Sequence, residues 1–170
     1  MNFLKNKICY LGGPITFDIQ ENWRIEPIRV LTERFKIRVF DPFSDPKQQK
    51  SEELNEALQK KDYNLITNIA KSFVRKDLAS VDRADFLISN LIYKIPTVGT
   101  HHEIINASNS KKPVMLVCEA GKQHISAWYY AFINHEKMFS LWEDLYLYLD
   151  EVNRGLHKED DKWSYVYGLV

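Results

Sequence analysis

Residues 85-DFLISNLIY-93 are almost continuously apolar. A strand with one solvated face alternates apolar and polar side chains, whereas an unbroken apolar run is the habit of strands covered on both faces. The flanking segments agree with a covered strand. Before it, 63-YNLITNIAKSFVRKDLASVDRA-84 carries Leu65, Ile66, Ile69, Phe73, Leu78 and Val81 at helical spacing. After it, 99-GTHHE-103 reads as a loop leading into a helix over 101–109, and 113-PVMLVC-118 as another strand. Toward the amino end, 7-KICYLGG-13 is a short strand stopped by two glycines and Pro14. A helix follows over 21–35, with Pro27 setting its regular start near Glu26. Then come a strand in 36-KIRVFDP-42 and a polar stretch, 43–62, with a short helix at 51–61. Toward the carboxyl end lie the aromatic segment 125-ISAWYYAFI-133, a helix over 138–152 and a charged tail.

Strands alternating with helices imply an α/β fold: a mostly parallel sheet with helices on both faces. Ligands of such sheets bind beyond the carboxyl ends of the strands, near the point where the strand order reverses. Those ends carry Gly12, Gly13 and Pro14, then Asp41, then Asn90, then the loop Gly99–Glu103. The 170 residues are expected to form one domain, 1–170, with 153–170 as a tail; no internal repeat divides them.

Lys+Arg and Asp+Glu balance at 23 each, which argues against a nucleic-acid polymer as partner, since phosphate binding shows as a basic excess. No apolar run approaches the ~20 residues of a membrane span, and MNFLKNK lacks a signal-peptide core, so a cytoplasmic protein without a membrane partner is expected. Cys9 and Cys118 sit in strand-like runs without zinc spacing and read as buried, reduced thiols. His101 and His102 are adjacent, so on a helix they point apart and do not ligate one ion; no metal site is expected. No dinucleotide fingerprint, phosphate loop or GxSxG element is present, and no cofactor is expected.

Glu103 has two readings: a nucleophile or general base at a pocket floor, or a helix-start carboxylate favoured by the dipole. Asp77 lies toward the end of the long helix, where the dipole opposes an aspartate. Asp82 and Asp85 share its neighbourhood, and Arg75, Lys76 and Arg83 offer plain surface pairing as the alternative.

Five segments in order resemble the nucleoside 2-deoxyribosyltransferase family: 10-YLGGPI-15, 23-WR-24, 39-VFDP-42, 77-DLASVDRADFLISNL-91, and 99-GTHHE-103 with 112-KPVML-116. The resemblance spans most of residues 8–150 and implies a flavodoxin-like three-layer αβα sandwich acting at C1′ of a 2-deoxyribose. It implies Glu103 as nucleophile, Asp77 as proton donor to the leaving base and Tyr10 as the holder of the Glu103 carboxylate. Substrate-binding positions would be Gly12, Gly13, Pro14, Trp23, Asp41, Asn90, Gly99, Thr100 and Ser126, with no metal or organic cofactor. A homo-oligomer with pockets shared between subunits is implied as well; apolar surface on 125–133 and 138–152 points the same way. The chain departs from the family's pattern at Thr97, where some members carry an aspartate, and in 104-IINASNSKK-112, which replaces a glycine-rich run. Trp128 is expected to pack rather than stack on substrate. The tail 165-YVYGLV-170 is a candidate to reach a site.

The expected reaction is transfer of deoxyribose from a deoxynucleoside to another nucleobase. The alternative is hydrolysis of a deoxynucleoside or its 5′-monophosphate; a non-catalytic nucleotide sensor on the same fold is the alternative of another class. Thr16 and Asp18, where a phosphate binder is expected to show serines and an arginine, favour the unphosphorylated substrate.

Overall fold

Strand β1 (Ile8–Gly12) is the pivot of the fold: it pairs in parallel with β2 (Arg38–Phe40) on one side and β3 (Phe86–Asn90) on the other. β4 (Val114–Val117) and β5 (Met138–Phe139) extend the sheet beyond β3, giving the order β2-β1-β3-β4-β5, all parallel. This is the flavodoxin-like order, and its reversal falls between β1 and β3. The structure, a computed structural model, describes residues 2–14, 23–44, 51–95 and 97–169. Thr16 and Asp18, and residues 45–50 of the polar stretch, lie outside these residues.

Period-two alternation assigns each strand residue to a layer. Cys9, Leu11, Phe86, Ile88, Met115 and Val117 face one way, into a core closed by helix α1 (Ile25–Glu33) and helix α6 (Trp142–Arg154). Tyr10, Leu87, Val114 and Leu116 face the other way, onto Val81 of α3 (Tyr63–Arg83) and Ile104 and Ala107 of α4 (Val98–Asn109). Every residue of β3 is buried, Ser89 and Asn90 included, as the nearly continuous apolar run implies. A fully buried side chain of this kind contributes about 1.5–3 kcal/mol. Cys9 and Cys118 are free and buried, and burial pushes both thiols up.

Helix α2 (Ser51–Lys60) and α3 keep the boundaries expected of them to within a residue. Asp62 caps α3 by accepting from Leu65 N at 3.0 Å, and Lys112 closes the other end by donating to Val81 O at 3.0 Å and to the carbonyls of Asp82 and Ala84. The segment 138–152 differs from expectation. Met138 and Phe139 pair with Leu116 and Val117 and point into opposite cores, so they form β5, and the helix starts only at Trp142. Two residues are too few for their period to show. The apolar side of α6 is spent in the core: Leu145, Tyr146, Tyr148, Leu149 and Val152 are buried.

The tail folds back. Short helices α5 (Ala127–Tyr130) and α7 (Ser164–Tyr167) flank α6 in sequence. Trp163 is fully buried, its indole donates to Tyr148 Oη at 2.8 Å, and its ring lies 5.6 Å from that of Phe86 at the amino end of β3. Residues 163–167 therefore pack at the end of the sheet opposite Glu103, away from its site. Among the described residues no helix is long and apolar enough to cross a membrane.

Candidate active site

Glu103 projects from α4 toward β1. Its helix starts at Val98, earlier than expected, so Glu103 sits in the second turn, and Gly99 and Thr100 belong to the first turn rather than to a loop. The dipole acts mainly within one turn of a helix start, so the helix-start reading of Glu103 loses its physical basis. The side chain is 8% exposed, and Tyr10 Oη donates to its Oε1 at 2.7 Å. Burial is the largest influence on the carboxyl and raises its pKa to about 7; the negative charge of Asp77 adds to the rise, while the Tyr10 hydrogen bond and Arg24 oppose it. Burial and the charges of Glu103 and Asp77 push the Tyr10 phenol far up, so it stays protonated and remains a donor.

Gly12 is where the sheet makes room for this carboxylate. A Cβ at Gly12 would stand 3.1 Å from Glu103 Oε2 and 3.4 Å from Ser89 Oγ. Gly13 has φ +148°, and a Cβ there would lie 2.6 Å from the Trp23 ring and 3.0 Å from the Asn90 carbonyl. Close approach and φ thus require glycine at position 13, while at position 12 a Cβ would press on the Glu103 carboxylate. Pro14 is buried, and Asn90 is 2% exposed.

Asp77 stands on α3 more than a turn before the helix ends at Arg83, so the expected dipole penalty does not apply. With Tyr10, Asp41, Lys76, Ser80 and Arg83 it lines a cavity of about 360 Å³, within the usual range for small-molecule sites. A larger cavity of about 540 Å³ opens near Asp85, Lys112 and Tyr165 at the amino ends of β3 and β4, the wrong end of an open sheet for its chemistry. Asp82 and Asp85 belong to that end. Asp82 accepts from Asn106 at 2.9 Å and Asp85 from Ile8 N at 2.6 Å, which makes both structural.

Arg24 was not expected in the site. It is 2% exposed and donates to Leu11 O (2.8 Å), Gly13 O (2.8 Å) and Asp41 Oδ1 (3.0 Å). Its fork ties the ends of β1 and β2 together and fixes Asp41, whose Oδ1 also accepts from Phe43 N at 3.0 Å. Burial lowers the guanidinium's pKa, and Asp41 chiefly offsets that. The sequence signal was the 23-WR-24 pair itself: the guanidinium lies 4.3 Å from the Trp23 ring centroid. Trp23 in turn stacks on Trp142 at 5.9 Å, which joins it to the core.

The remaining expected residues fall elsewhere. Gly99 faces open space, where a Cβ would meet nothing, and Thr100 is buried. Ser126 caps α5 and lines a separate cavity of about 510 Å³ with Thr97, His101 and His124. Trp128 is 74% exposed and joins neither core of the chain, because the short helix α5 turns Tyr129 inward in its place. His101 Nδ1 meets the Tyr129 hydroxyl while His102 is exposed, so the two rings diverge as adjacency dictates. Among the described residues no three His, Cys, Asp or Glu side chains are grouped as metal ligands.

The model of the family described as Nucleoside 2-deoxyribosyltransferase matches residues 9–163. Among solved structures, the chain is similar to the 2-deoxyribosyltransferase of Bacillus psychrosaccharolyticus, at 18% identity over 81% of this chain and 89% of that one, with a TM-score of 0.54. It is similar also to the corresponding enzyme of Leishmania mexicana, at 16% identity over 85% and 97%, with a TM-score of 0.53. At these identities the likeness is one of fold. No curated protein matches the chain in sequence.

Proposed function

The chain belongs to the nucleoside 2-deoxyribosyltransferase family, enzymes of deoxyribosyl transfer or N-glycosidic cleavage, and from that premise we propose that it moves the deoxyribose of a 2′-deoxynucleoside to another nucleobase through a glycosyl-enzyme on Glu103. The observation that carries this reading is the buried Tyr10–Glu103 hydrogen bond of 2.7 Å at the carboxyl end of β1, beside Asp77.

The chemistry follows from the charges. Breaking an N-glycosidic bond develops positive charge at C1′ and negative charge on the departing base. Ionised Glu103 attacks C1′ and forms an ester; the bond to the base breaks, and its electron pair leaves on the base nitrogen. Asp77, protonated, gives that nitrogen its proton. In the second half an acceptor base attacks C1′, the Glu103 carboxylate leaves, and Asp77 takes the acceptor's proton back. Like charges close together resist joint ionisation, and the step requires the one proton of the pair to sit on Asp77 while Glu103 is ionised. Tyr10 keeps Oε1 occupied and aims the other oxygen. Arg24 fixes Gly13 and Asp41, which border the base. The exposed Trp128 and Val98 and the cavity at Ser126 favour an oligomer, with Ser126 offered to a neighbouring subunit's sugar.

Chromatography of deoxyinosine or thymidine incubated with the protein, with and without free adenine, tests the proposal. A new deoxynucleoside is the expected product. Free base alone assigns water as the acceptor, and no release by wild type, or equal release by Glu103→Ala, removes the reading.

A further inference from the structure

Ser89 is fully buried, yet its hydroxyl has no hydrogen-bond partner among the described residues. A buried orphan of this kind costs about 1–3 kcal/mol and is rare without a reason. It stands opposite Gly12 in the β1–β3 register, on the face where Tyr10 and Leu87 meet α4. The one place where a Gly12 side chain would sit is bordered both by Ser89 Oγ and by Glu103 Oε2, at 3.4 and 3.1 Å. That oxygen is the half of the carboxylate that Tyr10 does not hold.

We propose that Ser89 is a positioning residue for Glu103: across the space left by glycine at position 12, its hydroxyl donates to Oε2, directly or over one water, when the carboxylate is ionised. The carboxylate is then held on both oxygens, by the phenol of β1 on one and by the hydroxyl of β3 on the other. The hydroxyl proton turns about the Cβ–Oγ bond at little cost, and a water bridging two buried polar groups serves nearly as well as a direct bond. Among the described residues, the charged and titratable groups facing Glu103 from the surrounding elements are Tyr10 of β1, Arg24 ahead of α1 and Asp77 of α3. Arg24 and Tyr10 favour its ionised form and Asp77 opposes it. Ser89 adds a neutral donor on the favouring side. Its part in catalysis rests on the proposed role of Glu103; its bond to the carboxylate does not.

The test reads the carboxyl itself. The protein is labelled with carboxyl-13C glutamate, the Glu103 signal is assigned by its disappearance in Glu103→Gln, and its titration is followed by NMR without substrate. Removing a donor to the charged form raises a carboxyl's pKa, by about one pH unit for a single charge-assisted bond. Ser89→Ala is expected to move the midpoint up by that amount, and Ser89→Thr, which keeps the hydroxyl, to return it toward wild type. The acid limb of base release is to move with it, giving about tenfold slower release near pH 6 and a rate close to wild type near pH 9. If Ser89→Ala does not fold, Ser89→Cys, a weaker donor of similar volume, is titrated in its place and is expected to move in the same direction. A midpoint unchanged from wild type overturns the proposal, whatever the activity. A raised midpoint in a protein that cleaves no deoxynucleoside upholds Ser89 and removes the proposed function instead.

Discussion

Tyr10→Phe removes one hydroxyl and leaves the ring in the core. In the structure that hydroxyl donates to Glu103 Oε1 at 2.7 Å, and it is the foremost influence holding the carboxyl's pKa down to about 7 against burial. A hydrogen bond to a charged group contributes about 1.5–3 kcal/mol. At 1.36 kcal/mol per pH unit its loss moves the Glu103 midpoint from about 7 to roughly 8–9. The sign is fixed: the bond favours the ionised form, so the variant needs more alkaline solution to free the nucleophile. At pH 7 the ionised fraction falls from about a half to roughly 1–10%, and base release slows by about 5–50-fold. The assay is the initial rate of base release from thymidine between pH 5 and 10, under conditions reporting kcat/KM. Partial recovery toward alkaline pH is expected, with any residual deficit measuring the loss of aim. A variant whose acid limb coincides with wild type, at a rate within twofold, refutes the assignment of Tyr10.

Asp77→Asn removes both a proton donor and a negative charge. Base release is expected to slow by about 10²–10⁴-fold, while the Glu103 midpoint measured by NMR falls below about 7, because Asp77 raises it; an unmoved midpoint contradicts the coupling. Glu103→Gln is expected to abolish transfer yet stabilise the fold at neutral and alkaline pH. A carboxyl whose pKa rises from ~4.3 unfolded to about 7 folded contributes stability that is full below ~4.3 and lost as pH climbs through 7. That loss, about 4 kcal/mol in all, is to vanish from the pH dependence of Tm in the variant. Arg24→Lys is expected to lower stability by about 3–5 kcal/mol, because one ammonium does not replace a fork serving Leu11, Gly13 and Asp41; denaturant unfolding measures it, and a loss below ~1 kcal/mol contradicts the clamp.

The order of the elements was legible because it rests on period and punctuation. The nearly continuous apolar run at 85–93 marks a strand covered on both faces, and Gly12, Gly13 and Pro14 mark the end of β1. Glu103, Tyr10 and Asp77 were legible as a group only through their motifs, since the strand order that unites β1, α3 and α4 is set by tertiary pairing. What stayed hidden depended on partners remote in sequence. β5 is two residues long and exists because Leu116 and Val117 offer it an edge. Arg24 is a surface-type residue whose burial is created by Asp41 and two carbonyls of the β1 end. Ser89 looked like one polar interruption in an apolar strand, and only its register with Gly12 sets it beside Glu103. Trp128 is expected to pack in a core or an interface, and within the chain the core place is held by Tyr129.

The covalent step on Glu103 is open to one direct measurement: mass spectrometry of the intact protein, acid-quenched during turnover of a deoxynucleoside slowed by fluorine at C2′, followed by peptide mapping. The added mass of one fluorinated sugar, on the peptide containing Glu103 and absent from Glu103→Gln, is the predicted result. Free base accumulating with no sugar on the protein at any quench time, and at the same rate in Glu103→Ala, contradicts it.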